Sequence, residues 1–198
     1  MKHVDANGLT EEEFLAQYDP RDFPRPSVTA DIVVFASSSD QPSGELRILL
    51  IKRGGHPFMG HWALPGGFLN PDETVEAAAR RELEEETGIR AENLKQLYAF
   101  SKPGRDPRTW VVTVAYIACV EYDPTQVVAG DDAVDAQWFA VASEEQDGLI
   151  SLKLTSENEL LTACLRQVPQ SEEYEIIKNN GLAFDHAAII TCALAGIL

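Results

Sequence analysis

GFLNPDETVEAAARRELEEETGI, residues 67–89, decides how the rest of the chain is read. Asn70 is a good N-cap residue, Pro71 suits the first helical position and Glu73 stands at the capping-box position, so a helix is expected over roughly residues 71–87. Gly88 suits a left-handed C-terminal cap. Four glutamates crowd the second half of this helix, where like charges three and four residues apart repel. At about 100° per residue, with Glu82 set at zero, Glu86 falls near 40° and Glu85 near 300°, whereas Glu84 falls near 200°. Val75, Ala78, Ala79 and Leu83 fall near about 20°, 320°, 60° and 100°, so Glu82, Glu85 and Glu86 sit beside or within the apolar arc.

A solvated acidic face lies opposite the apolar one, and here only Glu84 and Glu76 do something of the kind. Carboxylates gathered at a partly buried edge raise one another's pKa or lose stability unless a cation neutralises them. Hard Mg²⁺ or Mn²⁺ is the cation that all-oxygen ligands select. Arg81, next to Glu85, can orient one carboxylate through a charge-assisted pair, and small Ala78 and Ala79 leave room beside the ligands. Two readings stay open on this geometry: a divalent metal site and a structural ion-pair helix.

Working outward, residues 9–18 suit a short helix, and DPRDFPRP then favours an extended arm. SVTADIVVFA (27–36) and LRILLIK (46–52) read as strands joined by a turn-rich loop. A glycine-rich connection, RGGHPFMGHWALPGG, carries a short strand at Trp62–Leu64 and feeds the helix. LKQLYAF, WVVTVAYIACV and AQWFAV are further strand candidates. From Ser156 the pattern reads as helical: SENELLTACLRQV, a second helix near 172–178, and finally FDHAAIITCALAGIL. Strands on both sides of a central helix give an α/β layered domain, with residues 1–26 as helix and arm and 27–198 as the domain with a helical C-terminal segment. Strand direction is not readable. The last helix is apolar nearly all round and must be buried in the core or in a partner subunit, which suggests a homodimer.

The chain has 198 residues, enough for one domain with a sizeable core. With 44% hydrophobic and 24% charged residues it has the composition of a folding, globular chain. A formal charge of -16 disfavours nucleic acid as a partner, while local arginines and a divalent cation still allow a small phosphorylated ligand. Cys119, Cys164 and Cys192 lack metal-ligand spacing and are expected as buried small hydrophobes in a reduced compartment. The first residues hold no apolar core of a signal peptide, and the apolar runs are too short to span a bilayer, so a cytoplasmic protein with no membrane partner is expected.

The opening stretch also fits the Nudix box, G-x5-E-x7-R-E-U-x-E-E-x-G-U with U aliphatic, at Gly67, Glu73, Arg81, Glu82, Leu83, Glu85, Glu86, Gly88 and Ile89. The chain thus resembles the Nudix hydrolase family. The resemblance implies an α/β/α sandwich with a mixed sheet, and hydrolysis of a nucleoside diphosphate linked to another moiety. Carried over by position, Glu82, Glu85 and Glu86 look like the metal ligands, with the main-chain carbonyl of Gly66 or Gly67 beside them. Arg81 and Glu73 look like supports that hold loop and helix in register. Mg²⁺, with Mn²⁺ as a substitute, is the implied cofactor: it neutralises pyrophosphate oxygens and lowers the pKa of the attacking water. A carboxylate then serves as general base. In this family the base is often a glutamate on a later loop; Glu144 and Glu145 are the candidates, ahead of Asp131 and Asp132, and Glu82 is the alternative within the box.

Beyond the box, FPRPSVTADIVVF, LLIKRGGHPFMGHWALPGGFL, SKPGRDPRTWVVTVAY, AGDDAVDAQWF and LAFDHAAII resemble the branch of bacterial ADP-ribose pyrophosphatases and the related effector domain of regulators of NAD metabolism. Arg53, Arg105 and Arg108 are candidate contacts for phosphate or ribose, although Arg105 can equally pair with an acid such as Asp106. Phe58, Trp62 and Tyr116 are candidates to stack on adenine or to fill the core. His186 is expected in a structural role near the start of the last helix. The expected function is Mg²⁺-dependent cleavage of ADP-ribose or a similar nucleotide sugar to AMP and a sugar phosphate. A complete box, and a sequence that reaches Leu198 without a basic DNA-binding segment, favour this over two alternatives: a non-catalytic ADP-ribose sensor and a nucleoside triphosphate pyrophosphohydrolase.

Overall fold

The computed structural model describes residues 3–37, 45–123, 125–130 and 133–196. Helix α1 (Glu11–Gln17) begins at a capping box in which Thr10 and Glu13 bond reciprocally, and none of its residues is buried. Of the expected extended arm, Pro20–Asp22 forms a single 3-10 turn.

Strand β1 (Ser27–Ser37) carries the apolar run IVVFA, which fits a strand covered on both faces. Its even-numbered residues Ala30, Ile32, Val34 and Ala36 join one core, while Val33 and Phe35 join another. Strand β2 (Leu46–Arg53) pairs with β1 only at the joined ends, Phe35–Ser37 against Leu46–Ile48. Past that point the short strands β3 (Trp62–Ala63) and β4 (Gly66–Phe68) take their places, β3 on β2 and β4 on Thr29–Asp31 of β1. The Ile32 N–H donates to Pro65 O at 2.8 Å, tying the connection between these two strands to β1.

Helix α2 (Val75–Thr87) crosses one face of the sheet, with Ala78, Ala79 and Leu83 against Ile32 and Val34. It leads through β5 (Lys95–Phe100) to β6 (Val111–Glu121), which runs parallel to β1 along its whole length. Strand β7 (Ala133–Gln146) returns beside β2, and β8 (Leu149–Thr155), β9 (Leu160–Gln167) and β10 (Tyr174–Asn180) extend the sheet antiparallel. Among the described residues the main path is β10-β9-β8-β7-β2-β1-β6-β5. Helix α3 (His186–Ala195) covers the face opposite α2, with Ile189 and Ile190 packed among Phe35, Phe139 and Leu165. The sheet is mixed and lies between helices, the α/β/α arrangement that the resemblance implied.

Four expectations change. The helix starts at Val75, because Glu73 turns its carboxylate back onto Asn70 N–H and onto Arg81, and Thr74 Oγ1 accepts from Ala77 N–H as the actual N-cap. The helices expected over 156–168 and 172–178 are strands: Leu161, Ala163 and Leu165 alternate inward, and β8 supplies their hydrogen-bond partners. Among the described residues the C-terminal segment is therefore helical only in α3, which is buried within its own chain, so its apolar surface no longer argues for a partner subunit. Gly88 does take the left-handed cap, at φ 72°. Of the thiols only Cys192 is fully buried, and Cys119 is exposed on β6.

Thr74→Ala is expected to lower stability by about 1 kcal/mol, the usual cost of losing an N-cap side chain. Asn70→Ala is expected within about 0.5 kcal/mol of wild type. Urea unfolding midpoints check both, and the reverse ranking would put the helix start back at Asn70.

Candidate active site

The site forms where β4 is squeezed between β1 and α2. A Cβ at Gly66 would stand 2.2 Å from the Ala30 main-chain oxygen, so that position requires glycine, and one at Gly67 would stand 2.5 Å from the Glu82 carboxylate and would have to displace it. Gly66 also adopts φ 154°, within the range that favours glycine. Its N–H donates to Glu86 Oε2 at 2.8 Å. The diglycine backbone thus runs directly against the acidic edge of α2.

The helical phase divides the glutamates as expected for three of the four. Glu82 and Glu86 are 9% and 6% exposed, and Glu84 faces solvent, where it pairs with Arg90. Glu85, expected inside, lies at the rim, drawn 3.0 Å from Arg81 Nη1. Arg81 is the organiser here. It donates to both Glu73 oxygens at 3.1 and 2.7 Å, to Glu82 at 2.7 Å and to Phe68 O at 3.1 Å. The Arg81 guanidinium and the Asn70 N–H drive the Glu73 carboxyl down to about 2. Glu86 goes the other way, to about 8: burial is the main cause, the charges of Glu82 and Asp31 add to it, and the Gly66 N–H opposes it.

The opposite wall comes from parts of the chain far apart in sequence. Arg105, its side chain only 4% exposed, donates through Nε and Nη2 to both Asp185 oxygens at 2.9 and 2.7 Å and lies 3.6 Å from Asp31. Arg108 pairs with buried Asp106 at 2.7 Å and lays its guanidinium over the Phe68 ring. The Phe184 ring sits under both Arg53 and Arg108, 5.1 and 5.7 Å from their guanidinium carbons. His186 accepts the Leu64 N–H on Nδ1 at 2.8 Å. Together these groups enclose a cleft of about 290 Å³.

Arg53, Gly66, Gly67, Arg81, Glu82, Glu86, Arg105 and Arg108 all line this cleft. Within it Arg105 is committed to Asp185 and Asp31, neither of them the Asp106 weighed from the sequence, so its fork holds the wall together. Trp62 does not reach the cleft: it is 1% exposed and edge-on to Phe139 at 4.9 Å, because the β3 pleat turns it into the core. Phe58 packs on Phe184 at 4.7 Å, behind the lining. Tyr116 belongs to the core under α2.

Glu144 and Glu145 stand exposed near the end of β7, opposite Ser151 and Ile150 of β8. Ala133, at the start of the same strand, is the residue opposite Arg53. At about 3.3 Å per strand residue, Glu144 lies on the order of 30 Å further along, out of reach of the cleft within one chain. Asp131 and Asp132 lie outside the described residues. Sequence reasoning missed Asp31, Asp185 and Phe184, whose partners are 74 to 131 positions away, so no local pattern could have marked them.

The donors at the acidic edge are all oxygens, two of them on buried side chains beside a carbonyl-bearing backbone, which is the chemistry of a hard divalent cation. Glu82 and Glu86 with the Gly66–Gly67 carbonyls are the groups able to hold one, and Glu85 can join from the rim. Among the described residues no three His, Cys, Asp or Glu side chains already converge into a closed cage; Arg81 instead neutralises Glu82 and Glu85.

The Glu86 shift has a pH consequence for the metal-free protein. Its folded pKa, about 8, exceeds the ordinary 4.5, so the folded state binds the extra proton between those values. The associated stability is present below 4.5 and is lost as pH rises through 8. Metal-free Glu86→Gln should therefore gain on wild type progressively over that window. Urea unfolding at a series of pH values checks it, and a constant difference between the two proteins would contradict the shift.

Comparison with known proteins bears on the same residues. The chain is 44% identical over 122 residues to the ADPR responsive transcriptional repressor NtrR of Acinetobacter baylyi, a match covering 61% of this chain and 47% of that protein. It is 45% identical over 93 residues to the ADP-ribose pyrophosphatase of Methanocaldococcus jannaschii, covering 47% of this chain and 54% of that one. The chain thus spans about half the length of these curated relatives. Among solved structures, the NUDIX domain of Shewanella oneidensis NrtR, complexed with ADP ribose, superposes with a TM-score of 0.68 at 28% identity, covering 96% of this chain and 100% of that one. The model of the NUDIX domain family matches residues 25–155, the span that holds β1, the diglycine strand and the acidic helix, and the chain belongs to that family.

Proposed function

We propose that the chain hydrolyses the pyrophosphate of ADP-ribose, or of a similar nucleotide sugar, to AMP and a sugar phosphate in the presence of Mg²⁺. The observation that carries this is the pairing of buried Glu82 and Glu86 with the diglycine backbone, facing arginines across one cleft. Bound at that edge, Mg²⁺ or Mn²⁺ supplies charge neutralisation for the diphosphate and makes water more acidic. Glu82, Glu86 and the Gly66–Gly67 carbonyls hold it, with Glu85 joining from the rim. Arg81 keeps Glu82 oriented, and Glu73 keeps Arg81 in place. Arg108, half exposed over Phe68, and Arg53, over Phe184, receive phosphate or ribose oxygens. Glu82 is the general-base candidate that the cleft itself supplies.

The relatives support the substrate class, since their names join ADP-ribose to both hydrolysis and repression. The likeness to NtrR, and the distance of Glu144 and Glu145 from the cleft, favour a second reading, an ADP-ribose sensor that binds without cleaving. Hydrolysis of nucleoside triphosphates is the third. The reading places the protein in the cytoplasm, supported by three free thiols. Among the described residues no helix is long and apolar enough to cross a membrane. A net charge of -16 argues against a nucleic-acid partner. A homodimer is supported by the exposed rings of Phe14, Tyr18 and Phe23 in the N-terminal segment, where Tyr18 stacks on Phe23 and Phe14 packs tilted against Tyr18.

Purified protein with Mg²⁺ and a panel of ADP-ribose, NADH, dinucleoside polyphosphates and nucleoside triphosphates tests the choice. The expected result is AMP from ADP-ribose; binding of ADP-ribose with no cleavage of any member would establish the sensor instead. Glu86→Gln should reduce turnover by at least about 10²-fold, while Glu84→Gln should stay near wild type. Steady-state rates of the two variants decide whether phase on α2 separates ligand from surface.

A further inference from the structure

Gly181–His186 lies beyond the span matched by the family model, which ends at residue 155, yet it meets the backbone that enters the cleft. Trp62 N–H donates to Gly181 O and Ala183 N–H donates to Trp62 O, both at 2.8 Å, two rungs of a parallel ladder. In such a ladder the next rung would run from Leu64 N–H to Ala183 O. That oxygen is already used: the chain turns into α3, and Ala183 O accepts from His186 N–H at 3.2 Å. The His186 imidazole takes over the rung, accepting Leu64 N–H on Nδ1 at 2.8 Å.

The next residue, Pro65, has no N–H, and the one after it, Gly66, donates to Glu86. The successive main-chain donors of the turn, Leu64 and Gly66, are therefore both held by side chains, one from α3 and one from α2. Acceptance on Nδ1 requires the imidazole proton to sit on Nε2, the nitrogen 3.9 Å from Asp31 Oδ1. The ring is 4% exposed, and burial lowers its pKa to about 3, so this tautomer holds across ordinary pH.

We infer that His186 is a positioning residue: by accepting the Leu64 N–H in place of a carbonyl, it fixes the turn that presents the Gly66–Gly67 backbone to Glu82 and Glu86. The inference rests on the cation-site reading for its functional consequence, but the geometry it describes belongs to the metal-free protein.

Amide hydrogen exchange of the metal-free protein and Mn²⁺ binding, followed by the paramagnetic resonance of free Mn²⁺, test it together. In H186F, which keeps a ring but loses the acceptor, exchange at Leu64, Gly66 and Gly67 should rise about tenfold or more. Mn²⁺ affinity should fall about 10-fold or more. H186N, whose Oδ1 stands near the place of Nδ1, should recover both to within about threefold of wild type, and amides in the middle of α2 should not change in either variant. Unchanged exchange at Gly66 and Gly67 in H186F would overturn the inference. Should H186F fail to fold, the wild type decides: a scalar coupling across the Leu64 N–H···Nδ1 bond is expected, and its absence overturns it. If wild-type protein binds no Mn²⁺, the cation reading fails, while the exchange data still decide whether His186 holds the turn.

Discussion

Gly66 has no room for a side chain and Gly67 has none unless the Glu82 carboxylate moves, and the site is built around that crowding. Gly66 lies against the Ala30 carbonyl and Gly67 against the Glu82 carboxylate, at distances no Cβ tolerates. Because β4 is so close to both β1 and α2, main-chain carbonyls and buried carboxylates share one small volume. Burying acids beside one another is unfavourable by itself, and it shows in Glu86, whose carboxyl is pushed up to about 8 by burial, with the charges of Glu82 and Asp31 adding to it. The fold carries this local disadvantage because α2 is anchored elsewhere, through Ala78, Ala79 and Leu83 on the sheet. A cation is the group that would turn the disadvantage into binding.

Around that contact, charge is distributed unevenly. Arg81 is shared among Glu73, Glu82 and Glu85, so one guanidinium locks the turn before α2 to the helix itself. Arg105 is buried against Asp185 and Asp31 and braces the far wall. Arg53 and Arg108 lie over aromatic rings, Phe184 and Phe68, and both line the cleft. Of the four arginines, Arg81 and Arg105 are thus tied to carboxylates of the site on two sides each, while Arg53 and Arg108 also contact aromatic rings beside the cleft. This division follows from burial and partners, and a count of basic residues would not reveal it.

How far the sequence could be read depends on whether the deciding contacts are local. Residues 75–87 were legible because helical phase, a left-handed glycine and an acidic edge all lie within one stretch, and Glu85 alone departed, pulled outward by Arg81. β1 and β2 were legible from β-branched runs. Residues 160–167 were not, since Leu161 and Leu165 are four apart and satisfy both a helical and a two-residue period; only pairing with β8 settles it. The start of α2 was displaced because Glu73 found a distant partner in Arg81. Asp31, Phe184 and Asp185 were invisible for the same reason: their roles arise where β1, the loop before β6 and the start of α3 meet. Trp62 had the composition of a stacking residue and the position of a core residue, and the pleat decided for the core.

The proposed hydrolysis depends on the edge where α2 meets the diglycine strand being a divalent cation site. Anomalous scattering from a crystal of the protein grown with Mn²⁺ tests it most directly. A peak within coordination distance of Glu82, Glu86 and a Gly66 or Gly67 carbonyl is the predicted result. A peak elsewhere in the cleft, or none while Arg81 still bonds Glu82 and Glu85, would contradict it.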